Sequence, residues 1–148
     1  MKNKTFLVWL LITSLTLFGA AVAGWYGLWG QIFDKDHTNI SWLIVAMYCA
    51  TSGYIGWGSY TDHYRSDYEY NILQYITASM MPIGMIGSVT GFLLFGDAFA
   101  QLDPSNMAAA QGIMKEMAIG VSTLMITTLL GLVAWVGLGY QLAITENA

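Results

Sequence analysis

The charged residues of this chain lie in a few short clusters, and four long stretches between those clusters carry no charge. The stretches are 23, 21, 26 and 27 residues long. A helix needs roughly 20 residues to cross a hydrocarbon core of about 30 Å, so each is long enough to span a membrane. They are Phe6–Leu28, Ile40–Tyr60, Asn71–Gly96 and Met117–Ala143.

Composition supports the same fold class. Only 9% of the residues are charged and 56% are hydrophobic, whereas soluble domains carry about 25% charged residues. We therefore predict an all-α integral membrane protein with four transmembrane helices, forming a single transmembrane domain over residues 1–148. The connections hold 11, 10 and 20 residues, too few for a separate soluble domain, which usually needs about 50.

Several function classes are disfavoured by what the chain lacks. Five lysines and arginines in all are too few for a nucleic-acid footprint. The sequence shows no phosphate-binding glycine loop after a strand and no nucleophile elbow, so we expect no enzyme activity. His37 with Asp34 and Asp36, and His63 elsewhere, do not form a metal-ligand pattern, and we expect neither a metal nor a resident cofactor. Cys49 is expected to be a small apolar packing residue.

The amino terminus has two interpretations. Lys2 and Lys4, the apolar run to Phe18 and the small residues Ala21–Ala23 resemble a secretory signal with a cleavage site. The apolar character continues through Leu28 and Trp29, which favours a retained first helix instead. We expect the helix to be retained.

Charge placement and capping residues predict the topology. With the amino terminus inside, Lys2, Lys4 and Arg65 are cytoplasmic while Lys35 and Lys115 are external, in the direction of the positive-inside rule. Both termini are then cytoplasmic. Asp103 and Pro104 form a helix-start signal, which predicts a fourth helix that begins before the membrane. The predicted spans are approximately 6–28, 40–60, 71–96 and 104–143.

Small residues occupy one side of each of the last two spans, where small side chains let membrane helices approach closely. On the third span they are Thr77, Gly84, Gly87, Ser88 and Gly91; on the fourth they are Gly120, Thr123, Thr127, Gly131 and Ala134, with Thr128 on the flank. We interpret Gly84, Gly87, Gly91, Gly120 and Gly131 as helix-packing positions. Pro82 should kink the third helix or widen its turns.

The fourth span also clusters four hydroxyls within two turns: Ser122, Thr123, Thr127 and Thr128. Such side chains often bond only to their own helix at position i−4. Alternatively, a cluster of hydroxyls offers oxygen ligands to a cation that loses water. The sequence leaves both interpretations open.

These two spans resemble the MotA/TolQ/ExbB proton channel family, the A-type subunits of ion-driven membrane motors. Residues 82–91, PIGMIGSVTG, are similar to a family pattern of proline followed by G-L-L-G-T-V-x-G. Residues 120–132, GVSTLMITTLLGL, are similar to G-I-S-x-A-L-x-x-T-x-x-G-L. The chain departs from the pattern at Ser88, where threonine is usual, and at Leu124 and Gly137, where alanine and proline are common. It also lacks room for the large cytoplasmic portion of family members.

The resemblance implies a homopentamer in a bacterial inner membrane, with the last two helices lining the oligomer centre. The channel would enclose two helices of a single-span B-type partner, whose aspartate binds and releases H⁺ or Na⁺. Ser88 and Thr128 stand at the positions that face this aspartate, and Thr123 and Thr127 extend the implied ion pathway. The pair Thr127-Thr128 resembles Na⁺-driven members. Lipid would cover the outer faces.

The four uncharged stretches contain no carboxylate, which agrees with an ion pathway whose titratable group belongs to another molecule. A buried charge at the bilayer centre costs at least about 2.5 kcal/mol, and the four uncharged stretches hold no aspartate or glutamate; Lys115 and Glu116 precede the last of them. A titratable group would have to come from another molecule. The rival interpretations are a structural or holin-like oligomeric membrane protein, in which the same faces only oligomerise, and a membrane anchor for an enzyme complex.

Overall fold

The computed structural model describes residues 2–27, 29–30, 39–61, 67–101 and 107–146. Within these residues 97% are helical and there is no strand. The four long helices are α1 (Lys2–Trp25), α2 (Ile40–Thr61), α3 (Asp67–Ala100) and α4 (Met107–Glu146). Each is long and apolar enough to cross a bilayer. The prediction of an all-α chain with four candidate transmembrane helices is confirmed.

The last two helices are longer than a bilayer requires. With 34 and 40 residues at 1.5 Å per residue, α3 and α4 measure about 51 and 60 Å. Helix α3 begins four residues before its uncharged stretch, and Asp67 and Glu69 in its first turn favour a helix start because they face the positive end of the helix dipole. The predicted start at Asp103 and Pro104 lies outside the described residues, as do Asp34, Asp36, His37 and His63.

Helix α3 passes through Pro82 without interruption. Proline has no amide hydrogen, so the carbonyl of Ala78 loses its usual helical donor. Pro82 lies on an exposed side of the helix, away from the face that packs on α4.

The contact between α3 and α4 is the most extensive in the molecule, and glycines bring the two backbones together. A Cβ built on Gly131 would lie 2.9 Å from the Gly84 Cα, and one on Gly120 would lie 2.7 Å from the Phe95 nitrogen. No side chain larger than hydrogen fits at either place without moving a backbone. We call this line of contact the glycine seam; its members are Gly84, Gly87, Gly91, Gly120 and Gly131.

Helix α2 packs on only one half of this hairpin. The buried apolar core joins α2 to the first half of α3 and the last half of α4, and it consists of Ile44, Ile55, Leu73, Met80, Ala134, Leu138 and Leu142. Helix α1 lies outside α2, where the Trp9 ring covers Gly56 and leaves no room for a Cβ. Phe6 stacks on Trp9 at 5.7 Å between ring centroids. The other half of the hairpin is buried mainly along the glycine seam.

Helix α1 is terminated by a glycine in the left-handed backbone conformation. Gly27 has φ +69°, a conformation that glycine adopts without steric cost and that commonly terminates helices. The chain then turns back, and the indole Nε1 of Trp29 donates to the carbonyl of Ala20 at 2.8 Å. Trp29 thereby ties the chain beyond the turn to α1.

The interpretation of Cys49 as a packing residue was wrong, because the structure places it on the exposed side of α2. The buried side of that helix carries Ser41, Ile44, Thr51 and Ile55. At 100° per residue, Cys49 lies about 140° from Ile44. An apolar helix without charges gives no sequence signal for which side faces its neighbours.

Replacing Gly131 with alanine should destabilise the hairpin, whereas Gly139→Ala should not. Both substitutions gain the same helix propensity, but only the Gly131 methyl group meets backbone atoms, while a Cβ on Gly139 meets no described heavy atom within 4 Å. Overpacking of this kind costs about 1–3 kcal/mol. Equilibrium unfolding in mixed detergent micelles should show that difference between the two variants, and equal stabilities would contradict the seam.

Candidate functional site

A pair of hydroxyls bridges α3 and α4 at the edge of the glycine seam. Ser88 and Thr128 are hydrogen-bonded to each other through their side-chain oxygens. The preceding residues explain their meeting: a Cβ on Gly87 would lie 2.6 Å from the Thr127 Cβ, so Gly87 lets the two helices close at this level. Thr128 is exposed and Ser88 is half-buried, which leaves the pair accessible from outside the chain.

The Leu124 carbonyl lies within reach of both hydroxyls, although each hydroxyl has only one proton to donate. The Thr128 Oγ1 donates to the Leu124 carbonyl oxygen at 2.8 Å, and the Ser88 Oγ reaches the same oxygen at 3.3 Å. Ser88 can also donate to the Gly84 carbonyl at 3.1 Å. Each hydroxyl has one proton and two acceptor lone pairs, and every one of these acceptors lies between or within the helices. When Thr128 donates to Leu124, the Ser88 proton makes the bond between the two hydroxyls, which leaves two lone pairs on Ser88 and one on Thr128.

This arrangement favours a ligand that carries a positive charge or donates a hydrogen bond. The remaining lone pairs can accept from a water, a protonated carboxyl or a cation, and the hydroxyls carry no charge of their own. Donation to a carboxylate requires Ser88 to turn its proton away from its partners in the chain, and the bond between the two hydroxyls then persists only if Thr128 donates to Ser88. The pair can therefore serve both states of a titrating carboxyl.

The hydroxyl pair lies next to a row of aromatic side chains on α3. Phe92, Phe95 and Phe99 follow Ser88 at positions i+4, i+7 and i+11, which share one side of a helix. Their rings stack with centroids 6.3 Å and 6.2 Å apart, and Phe92 and Phe99 are exposed. The hydroxyl pair therefore interrupts an otherwise apolar side of α3.

The structure separates the predicted pathway residues into two groups. Thr123 and Thr127 are completely buried, whereas Ser88 and Thr128 reach the accessible edge. The Thr127 Oγ1 donates to the Thr123 carbonyl at 2.9 Å, and the Thr123 Oγ1 donates to the Ile119 carbonyl at 3.1 Å. Within one chain these two hydroxyls lie between the helices and present no oxygen to an opening.

The five predicted packing glycines all lie in the glycine seam, where each would bring a Cβ within 3.0 Å of an atom of the opposite helix. The two small-residue faces thus cover each other inside a single chain.

The sequence reasoning missed a buried amide. Gln141 is fully buried, and its Nε2 donates to the Tyr48 Oη at 3.5 Å. Gly137 makes room for the tyrosine, since a Cβ there would lie 3.2 Å from the ring. Glutamine carries no charge and therefore did not stand out in the charge pattern. An amide within an apolar span nevertheless indicates a contact between helices, because it needs a hydrogen-bond partner in hydrocarbon.

Within the described part of the chain, no group of three histidine, cysteine, aspartate or glutamate residues could hold a metal ion. Comparison with protein-family models, curated proteins and solved structures finds no match to this chain. The resemblance of the last two spans to the MotA/TolQ/ExbB family therefore depends on the motif residues quoted above.

A double-mutant cycle should detect the bond between Ser88 and Thr128. Side-chain hydrogen bonds between membrane helices average about 0.6 kcal/mol and reach about 1.7 kcal/mol, so Ser88→Ala and Thr128→Val should be coupled by such an amount in equilibrium unfolding. Thr90 supplies the control, because its hydroxyl donates to Ile86 of its own helix at 2.9 Å. Thr90→Val and Thr128→Val should be additive; a Ser88–Thr128 cycle that is equally additive would show that the pair does not form.

Proposed function

We propose that this chain is the A-type subunit of an ion channel or motor complex in a bacterial inner membrane. It works as a homopentamer around a single-span B-type partner and carries H⁺ or Na⁺ down the ion motive force. The observation that supports the proposal is the accessible hydroxyl pair of Ser88 and Thr128 on the α3–α4 hairpin. These are the two residues that the family resemblance marks as facing the partner's aspartate.

The buried polar groups of the described helices carry no charge, which agrees with a titratable group supplied by the partner. All of them are neutral: Ser41, Thr51, Ser52, Thr77, Thr123, Thr127 and Gln141. Among the described buried groups a pathway finds hydroxyl and carbonyl oxygens but no carboxylate, so in this proposal a carboxyl on another molecule binds and releases the ion. One monovalent ion crossing 100 mV releases about 2.3 kcal/mol, which is the energy available to the complex per ion.

The hairpin is suited to form one segment of a channel wall. The glycine seam holds α3 and α4 at backbone contact, so the Ser88–Thr128 edge keeps its position while neighbours or a partner move against it. In the proposed pentamer this edge faces the central opening. The apolar outer sides of both helices contact neighbouring copies and lipid.

Ion selectivity in this arrangement depends on Ser88 rather than on Thr127. The resemblance to Na⁺-driven members rested on the pair Thr127-Thr128, but the Thr127 hydroxyl is buried in the seam. Ser88 supplies the second accessible oxygen beside Thr128, and the Leu124 carbonyl lies behind both. The site offers oxygen ligands to Na⁺ and hydrogen-bond acceptors to a protonated carboxyl, so H⁺ and Na⁺ are both compatible with it.

The subunit count tests the assembly. Native mass spectrometry or single-particle imaging of the full chain in mild detergent should give five copies around a central opening. A monomer or dimer would overturn the proposal. A ring of another size without a co-purifying single-span protein would favour the structural or holin-like alternative.

Thr128→Val should remove ion-coupled transport without changing assembly. Valine keeps the shape of threonine but deletes the oxygen that bonds Ser88. Complexes isolated with their partner and reconstituted into vesicles should show a sodium-22 or proton flux at least about tenfold below that of the wild type. A loss of about 1.4 kcal/mol in stabilisation of the transition state for ion transfer lowers the rate tenfold.

Ser122→Ala provides the matched control for that substitution. The Ser122 hydroxyl donates to the Ala118 carbonyl of its own helix at 2.8 Å and lies about 120° around α4 from Thr128. Its flux should equal that of the wild type. Unchanged flux in Thr128→Val, with the subunit count intact, would remove the hydroxyl pair from the pathway.

A further inference from the structure

A crevice of about 320 Å³ opens between α2 and α3, remote from the Ser88–Thr128 pair. Its walls are Thr51 and Tyr54 of α2 and Ile72, Leu73 and Ile76 of α3, and Glu69 stands at one end. Tyr54 and Ile72 are exposed on its rim, so the crevice is open along the outside of the bundle.

The crevice has a charged end and an apolar end. Glu69 lies in the first turn of α3, two residues before the uncharged stretch begins at Asn71. Ile76 is seven residues farther along the helix, about 10 Å deeper. If α3 crosses the bilayer along its uncharged stretch, the carboxylate lies at headgroup level and the aliphatic wall lies in the hydrocarbon.

The charge of this region selects among headgroups. The first turn of α3 carries the carboxylates of Asp67 and Glu69, so an anionic headgroup is repelled. An ammonium group instead makes charge-assisted hydrogen bonds to a carboxylate. A carboxylate has two oxygens with about four lone-pair positions, so Glu69 can accept an ammonium in addition to the interactions it makes within the chain.

We propose that this crevice binds a membrane lipid with a primary ammonium headgroup, of the phosphatidylethanolamine class. The ammonium donates to the Glu69 carboxylate, and one acyl chain lies along Ile72 and Ile76. Lipid is the occupant rather than a soluble amine, because most of the wall is apolar and continues into the depth of the bilayer. The site is independent of the ion pathway proposed above.

The test is competition between two lipids with identical acyl chains. The full-length protein in mild detergent is incubated with equal amounts of phosphatidylethanolamine and phosphatidylglycerol, and the bound lipids are counted by native mass spectrometry. We expect at least about threefold enrichment of phosphatidylethanolamine, and Glu69→Gln should bring the ratio to unity. Enrichment that survives Glu69→Gln would overturn the proposal.

Asp67→Asn is the matched control, because Asp67 shares the first turn of α3 with Glu69 but does not line the crevice. It should keep the enrichment; an equal loss in both variants would mean general surface charge and would contradict a defined site. Ala50→Trp tests the cavity without touching the carboxylate. Since Ala50 also lines the crevice, the indole should displace one bound lipid per chain, and an unchanged lipid count would refute the acyl-chain site.

Discussion

The approach of α3 and α4 to backbone contact is the interaction on which the rest of the structure depends. In a membrane, helices gain little from excluding water and associate where small residues permit close packing. Here Gly84 meets Gly131 and Gly91 meets Gly120, in each case at distances that a Cβ would violate. This register places Ser88 beside Thr128. A slip of one residue along either helix would turn these hydroxyls to different sides.

The glycine seam also separates the hydroxyls into a buried group and an accessible pair. Those that enter it, Thr123 and Thr127, bond to carbonyls of their own helix and fill the space beside glycine. The pair at its edge lies beside the Leu124 carbonyl, to which Thr128 donates, and is accessible from outside the chain. Helices α1 and α2 support only one half of the hairpin, where Gln141 is bonded to Tyr48. The supported half and the hydroxyl edge are thus different parts of one rigid hairpin.

Charge placement alone predicted the four helices, because a charge inside hydrocarbon is costly and the stretches between charges therefore mark the spans. Glycine spacing predicted which sides of α3 and α4 are small. The sequence placed Thr127 on the small-residue side of α4 and Thr128 on its flank, but it assigned both to the ion pathway. It could not show that Thr127 is covered, since the covering glycine, Gly87, comes from another helix. Cys49 and Gln141 were misjudged or missed for a related reason: an apolar helix with no polar face does not reveal its buried side.

We propose that the hydroxyl edge of the hairpin faces the water-accessible centre of the assembly rather than lipid. Leu132 and Val133 lie at nearly the same depth of α4, about 40° and 140° around the helix from Thr128. Spin labels at these two positions, in a Cys49→Ala background and in native-lipid membranes, report collisions with a water-soluble relaxation agent and with oxygen. The account predicts several-fold more collisions with the water-soluble agent at 132 than at 133. Equal, oxygen-dominated relaxation at both positions would place the edge in lipid and contradict it.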